Sequence, residues 1–243
     1  MKKVIPYIAS HFRKDKIWLR RTRPDTRRYQ VVVAIDDSRS MAHAGCGAFA
    51  LEALTLLCSA MARLEVGELG VLRFGGVGGM RVLHPLDRPF TDSDGVRVLS
   101  QLTFDLDNTL ADQPMVELLT GLDAMLAAAR ARAGGRGGSH AAQLHQLVLV
   151  VADGRFHERD ALRRAVRVLA DRPGVMLAFL VLDSSTSSLV EMQSVAFGAD
   201  GKPTFTRYLD GFPFPYYMLL RDVRALPRAL AGLMRQWFEL QAR

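Results

Sequence analysis

The chain has 243 residues, of which 49% are hydrophobic and 23% charged, and this composition supports one α/β domain with extensions, or at most two small cores. Its longest apolar runs, 147–152 and 175–182, are too short to span a bilayer. The basic start is not followed by an apolar stretch with a cleavage site, so we expect a protein that is neither membrane-embedded nor secreted. Cys46 and Cys58 fall on one predicted helix about 18 Å apart, which excludes a disulfide between them and indicates buried thiols.

The net charge of +7 is concentrated in residues 1–28, which contain ten Lys or Arg and only two Asp. Apolar side chains such as Ile5, Ile8, Phe12 and Trp18 lie between these charges, whereas a disordered tail would lack such anchors. We therefore predict a basic N-terminal extension that packs on the domain formed by the rest of the chain. Its charge also suits rRNA or a nuclear import receptor, and a merely solvated extension is the alternative.

Apolar patterns predict alternating strands and helices over residues 29–243. Continuous apolar runs are typical of buried parallel strands, and apolar residues at helical spacing indicate helices packed on them. The predicted elements are strands at 29–35, 68–74, 80–84, 147–152, 175–182 and near 203–208, and helices at 46–65, 92–102, from 114, at 159–169 and at 226–240. This order predicts a doubly wound, mostly parallel α/β sheet with helices on both faces and a C-terminal extension from about residue 203.

Polar residues stand where two of the buried strands end. Asp36-x-Ser38-x-Ser40 follows the first strand, Asp153 follows the strand at 147–152, and Thr109 lies in a polar loop. Ligands of open α/β sheets bind beyond the carboxyl ends of the strands, where the strand order reverses, so these loops converge if the two strands are neighbours. Hydroxyl and carboxylate oxygens favour a hard cation such as Mg²⁺, with Mn²⁺ or Ca²⁺ as alternatives.

These motifs match, in order and spacing, the metal-ion-dependent adhesion site of von Willebrand A and integrin I domains. Three stretches, 5–21, 29–41 and 212–227, further resemble the C-terminal domain of the midasins, the giant AAA+ ATPases of ribosome assembly, and this resemblance covers nearly the whole chain. The resemblance implies a von Willebrand A-type fold. It also implies a Mg²⁺ site whose ligands are Asp36, Ser38, Ser40, Thr109 and Asp153.

The same resemblance implies a docking domain and not an enzyme. A glutamate of a ubiquitin-like domain, carried by a pre-60S ribosome assembly factor, would complete the metal shell, and the ATPase modules of a longer parent protein would then remove that factor. We accordingly expect a monomeric domain in the nucleus, in both nucleolus and nucleoplasm, with no membrane partner. The residues expected to contact the partner flank the metal loops and are Arg39, Met41, His43, Arg155, Phe156 and Ser185.

Two other classes of function fit parts of the sequence. A metal-dependent phosphohydrolase of the haloacid dehalogenase type also places an aspartate after its first strand, but it needs a second carboxylate where this chain has Ser38, and a lysine, of which residues 29–243 contain only Lys202. A nucleic-acid-binding module would act through residues 1–28. No GxxxxGK[ST] or GxSxG string occurs, so the chain by itself is neither a P-loop ATPase nor an α/β-hydrolase.

Overall fold

The computed structural model describes most of the chain except its start and several loops. The described residues are 28–43, 45–63, 67–107, 113–134, 144–156, 159–183, 188–197 and 203–241. Nearly all of the predicted basic extension, 1–28, lies outside them, so its packing stays a prediction. No helix within the described ranges is long and apolar enough to cross a membrane.

Eight strands and six α-helices form the described part of the fold. The strands are β1 (Arg28–Asp36), β2 (Glu68–Gly76), β3 (Gly79–His84), β4 (Leu144–Ala152), β5 (Val175–Leu182), β6 (Gln193–Phe197), β7 (Pro203–Arg207) and β8 (Tyr216–Leu220). The helices are α1 (Arg39–His43), α2 (Gly47–Arg63), α3 (Asp92–Leu99), α4 (Pro114–Gly134), α5 (Arg159–Ala170) and α6 (Leu226–Gln241). Short 3₁₀ turns at Tyr208–Gly211 and Val223–Ala225 flank β8.

Six of the strands form one sheet in the order β3-β2-β1-β4-β5-β8. All neighbours are parallel except β2 and β3, which form an antiparallel hairpin. From β1 the chain passes to β2 on one side and later to β4 on the other, so the strand order reverses between β1 and β4. The carboxyl ends of these two strands therefore flank the crevice where α/β sheets place their ligands.

Helices cover both faces of this sheet. Side chains of β1 alternate between the faces, so that Val31, Val33 and Ile35 pack with helices α2, α3 and α6, while Val32 and Ala34 pack with α4 and α5. The strands in the middle read as unbroken apolar runs because both of their faces are buried. The prediction of a doubly wound, mostly parallel α/β fold is confirmed.

The C-terminal part contributes more to the sheet than its sequence pattern predicted. Residues 216–220 form β8, which pairs in parallel with β5 as the edge strand of the sheet. Before it, Phe212 and Phe214 pack on Phe179 of β5 with ring centroids 5.5 and 4.6 Å away. These contacts pack the aromatic segment at 212–217 onto the domain. Strands β6 and β8 were not predicted.

Candidate metal site at the carboxyl edge of the sheet

Asp36 and Asp153 lie side by side at the carboxyl edge of the sheet. Asp36 is the last residue of β1, and Asp153 directly follows β4. Ile35 of β1 is opposite Val151 of β4, so the two aspartates leave neighbouring strands only one residue apart in register. Both residues are buried, and their charges interact. The convergence expected from the sequence is therefore present for these two residues.

The carboxylate of Asp36 is held in place by its own loop. Its Oδ1 atom accepts a hydrogen bond of 2.9 Å from the backbone N–H of Ser38. Burial raises the pKa of Asp36 from 3.8 to about 7; the hydrogen bonds of Ser38 oppose the rise, and the neighbouring charge of Asp153 adds to it. An ionised carboxylate at this position is therefore costly without a compensating positive charge.

The two serines of the motif present their hydroxyls together. The Oγ atoms of Ser38 and Ser40 are 2.9 Å apart; Ser38 is buried and Ser40 half-buried. Helix α1 begins at Arg39, between them, and its turn places both hydroxyls on one side of the loop. Two hydroxyl oxygens and a carboxylate thus share one small volume, which is a donor set that hard cations prefer.

Asp37 fixes the loop from below. Its Oδ1 atom accepts hydrogen bonds from the backbone N–H groups of Thr103 and Phe104 at 2.8 and 2.6 Å, and its Oδ2 atom accepts one of 2.8 Å from Arg73. The carboxylate is fully buried, and both of its oxygen atoms accept hydrogen bonds. These contacts make Asp37 an anchor of the loop.

Gly75 makes room for the Asp36 carboxylate. Its φ of +111° is one that side chains other than glycine's rarely adopt, and a Cβ added there would lie 2.5 Å from Asp36 Oδ1 and 3.0 Å from Ser38 Cβ. Gly75 lies close to the turn between β2 and β3. Its role as a support of the site becomes visible only when β2 lies beside β1.

The loop that carries Asp153 is braced by a residue from far along the chain. The backbone N–H of Arg155 donates to Asp153 Oδ1 at 3.2 Å. The buried Tyr208 donates its hydroxyl to the carbonyl of Gly154 at 3.0 Å and accepts from the N–H of Phe156 at 2.8 Å. Sequence reasoning missed Tyr208, because nothing local to it indicates a contact 54 residues away.

The fifth predicted ligand, Thr109, lies outside the described residues, so its role as a ligand stays a prediction. The segment that leads to it does reach the site. Ser38 and Leu106 form a parallel bridge, and the N–H of Arg39 donates to the carbonyl of Leu106 at 2.9 Å. The chain therefore runs beside the Asp36–Ser40 loop three residues before Thr109.

The predicted partner contacts separate into exposed and buried side chains. Arg39 and Arg155 are exposed at the carboxyl edge, and Phe156 is half-buried against Phe179 with ring centroids 5.6 Å apart. Met41 corrects the prediction: it is 0% exposed and belongs to the core under α2, because the turn of α1 points it inward. Its side chain cannot touch a partner in this conformation.

Two further predicted contacts cannot be placed. His43 ends helix α1, but the described part of the structure does not include its side chain. Ser185 lies outside the described residues. The loop that contains it is anchored at both ends, because Asp183 accepts hydrogen bonds from Ser188 Oγ at 2.8 Å and from the N–H of Leu189 at 2.7 Å.

Asp183 is the fourth buried aspartate at this edge, and its surroundings differ from those of Asp36. The Arg221 guanidinium donates to it at 2.9 Å, in addition to the two donors from Ser188 and Leu189. Burial alone would raise the pKa of Asp183, but these three donors outweigh burial and hold the pKa below its usual value. Asp183 therefore serves the structure of the edge, whereas Asp36 lacks a comparable set of donors among the contacts that the structure describes.

Among the described residues, no group of three or more His, Cys, Asp or Glu could hold a metal ion. A cation at this edge would depend on the hydroxyls of Ser38 and Ser40 beside the carboxylates of Asp36 and Asp153. Neutral hydroxyls leave much of a divalent charge uncompensated, so such an ion would attract a further anionic ligand from outside.

The chain is similar in sequence to two midasins. The chain is 40% identical to midasin of Dictyostelium discoideum in an alignment of 243 positions that covers 99% of this chain and 4% of that protein. It is 36% identical to midasin of Giardia intestinalis over 98% of this chain and 5% of that protein. The chain thus spans about one twentieth of the length of these relatives. No family model matches it.

Solved structures extend the comparison to the fold. A von Willebrand factor type A protein from Catenulispora acidiphila superposes with a TM-score of 0.51 at 14% identity, over 88% of this chain and 42% of that one. At this identity the likeness shows the fold alone, and it confirms the predicted von Willebrand A-type architecture.

Proposed function

Because this chain is a homologue of a midasin segment and has the fold of a von Willebrand A domain, we propose that it is a docking domain that binds another protein through a divalent cation. The observation that supports this most is the meeting of Asp36, Ser38, Ser40 and Asp153 at the strand-order reversal. The homology agrees with a metal-dependent docking domain in general, and the identity of the partner is the further step of the proposal.

The cation would be Mg²⁺, with Mn²⁺ or Ca²⁺ as alternatives, because all the donors at this edge are oxygen atoms. Ser38 and Ser40 would bind it through their hydroxyls, and Asp36 and Asp153 directly or through water. Thr109 would add a third hydroxyl from the segment that follows Leu106. When bound, the ion supplies a positive charge at an open coordination position, which a carboxylate of the partner can fill.

The chain's own residues keep this position ready for a partner. Asp37, bonded to Arg73 and to two backbone N–H groups, fixes the loop that carries the serines. Tyr208 fixes the loop that carries Asp153. A site whose supports are already bonded loses little conformational entropy on binding. Arg39 and Arg155, exposed on either side of the site, would favour an acidic partner.

We propose that the partner is a ubiquitin-like domain of a pre-60S ribosome assembly factor, and that a glutamate of this domain fills the open position. The homology to midasin supports a role in ribosome assembly. A parent AAA+ ATPase would then use this domain to grip the factor and remove it, in the nucleolus and nucleoplasm. In this proposal the domain itself catalyses no reaction.

Calorimetric titration of the 243-residue chain with such a ubiquitin-like domain tests the proposal. The partner is used with its docking glutamate intact, changed to aspartate and changed to alanine, each in Mg²⁺ and in EDTA. Aspartate keeps the charge but shortens the reach by one methylene, and metal–ligand distances tolerate only about 0.2 Å. We expect the glutamate form alone to bind tightly, and only in Mg²⁺.

A second experiment compares docking by Asp36→Ala with docking by a control variant, Asp87→Ala. Asp87 is exposed and follows β3, which runs antiparallel to β2, so it lies at the opposite edge of the sheet. Both variants lose one carboxyl group, but only Asp36→Ala should abolish docking. Equal affinities across the partner series, or docking indifferent to EDTA, would contradict the proposal.

A further inference from the structure

The hairpin formed by β6 and β7 starts beside the candidate metal site. At its base, the N–H of Tyr208 donates to the carbonyl of Met192 at 3.0 Å. The same Tyr208 uses its hydroxyl to hold Gly154 and Phe156 in the loop after Asp153. The base of the hairpin and the loop that carries a proposed metal ligand are therefore fixed to one another.

This hairpin exposes a pair of large apolar side chains. Val195 and Phe205 are directly opposite one another in the two strands, with 49% and 62% of their surfaces exposed. Among the described residues, Phe205 is the most exposed aromatic side chain. The pair stands three residues from the base of the hairpin, which is about 10 Å of extended chain.

The face of the hairpin that carries Val195 and Phe205 is exposed to solvent. The two side chains share this face because residues directly opposite one another in paired strands point to the same side of the sheet. The two strands form a separate two-stranded sheet, and such a sheet alone is only marginally stable in water. Val195 and Phe205 belong to neither of the two hydrophobic cores. Their exposed surface can therefore contact another molecule.

Single exposed apolar residues are normal on any protein surface. Here, however, two of them are paired on one projecting element, and that element is attached to the proposed docking site. One carboxylate on one metal ion is a small contact, whereas specific complexes bury about 800 Å² on each partner. Their binding energy is concentrated in a few anchors, among which aromatic side chains are common.

We propose that the β6–β7 hairpin is a second contact surface for the protein that docks at the metal site, and that Phe205 and Val195 are its apolar anchors. The partner accordingly has an apolar patch next to the carboxylate that binds the metal. This inference rests on the proposed function, because it gives the hairpin and the metal site one shared partner. The metal contact then provides the dependence on a cation, and the hairpin provides affinity and choice of partner.

The test compares a hairpin variant with a matched surface variant. Val195→Thr with Phe205→Thr removes the apolar surface and keeps residues that favour strands. Val168→Thr changes a side chain of similar exposure, 60%, near the end of α5 that points to the opposite edge of the sheet. Calorimetry measures the binding of each variant to the ubiquitin-like domain of a pre-60S assembly factor in Mg²⁺, and separately its binding of Mg²⁺ alone.

We expect the Kd of the double variant for the partner to rise at least about tenfold, with Mg²⁺ binding and the melting temperature unchanged. Val168→Thr should behave as the wild type, and Phe205→Leu, which keeps an apolar side chain, should recover much of the affinity. A Kd within twofold of the wild type for the double variant, or an equal loss in Val168→Thr, overturns the inference. Wild-type docking that ignores EDTA overturns the proposed function itself, so the two failures are distinguishable.

Discussion

Asp36 and Asp183 are both buried aspartates at the carboxyl ends of strands in the same sheet, yet their surroundings are opposite. Asp183 accepts hydrogen bonds from Ser188, Leu189 and Arg221, and its pKa is lowered. Asp36 is bonded by its own loop and lies close to Asp153, and burial raises its pKa to about 7. A buried carboxylate whose negative charge is balanced by the protein's own donors supports the structure. A buried carboxylate with too few such donors is suited to bind an external cation.

The largest expected effect concerns Asp37, the neighbour of Asp36 that resembles Asp183 in being fully bonded. Asp37→Ala should lower the free energy of unfolding by about 3–5 kcal/mol, because it leaves the Arg73 guanidinium without its carboxylate and two backbone N–H groups without an acceptor. Asp36→Ala, one residue away, should cost much less. Urea unfolding of the two variants measures this difference, and similar losses would erase the distinction between the two aspartates.

The next prediction distinguishes two effects of substituting Gly75: strain in the backbone and displacement of the Asp36 carboxylate. Gly75→Ala and Gly78→Ala both place a side chain on a positive-φ backbone, at +111° and +95°, so each should cost about 1–3 kcal/mol of stability. Only at position 75 would the new Cβ meet Asp36 Oδ1, since nothing lies within 4 Å of a Cβ at position 78. Metal-dependent docking should therefore fail in Gly75→Ala alone. Equal docking by both variants would show that the Asp36 carboxylate need not be placed accurately.

The smallest effect is a pH dependence at Asp183. Because its folded-state pKa is lowered, its ionised form contributes stability that is fully present above the unfolded-state value of about 3.9 and is lost as the pH falls through the folded value. Asp183→Asn should therefore destabilise the chain by about 1–2 kcal/mol at pH 7, and by progressively less below about pH 4. Thermal unfolding between pH 7 and acid pH measures the stability difference between the wild type and Asp183→Asn. A difference that grows as the pH falls would contradict the lowered pKa of Asp183.

Much of this architecture follows from sequence patterns, because strands buried on both faces must be continuous apolar runs. Strand β5 begins and ends as predicted, and helix α2 (Gly47–Arg63) differs from the predicted 46–65 by one or two residues at each end. Strand β8 escaped prediction, because its apolar run of five residues is short and directly follows Pro213 and Pro215, and proline is typical of strand edges and loops. Its place depends on the neighbouring β5, which is a tertiary effect.

The candidate site, like the fold, could be predicted only in part from the sequence. The motif residues Asp36, Ser38 and Ser40 are adjacent in sequence, so their convergence needs only one loop and could be predicted. Gly75 and Tyr208 support the site from distant parts of the chain and leave no local signal. Met41 was assigned to the partner surface because it follows the motif, but its orientation is set by one turn of α1, which a sequence pattern did not reveal.

The most direct test of the account is a Mg²⁺ titration of three proteins side by side: the wild-type chain, Asp36→Asn and Asp183→Asn. Both substitutions replace a buried carboxylate at the same edge with an amide of the same shape. The account predicts that the wild type and Asp183→Asn each bind one Mg²⁺ ion, while Asp36→Asn binds none and in EDTA is at least as stable as the wild type, because one of two repelling buried carboxylates is gone. Undiminished Mg²⁺ binding by Asp36→Asn, or no binding by the wild type, would contradict it.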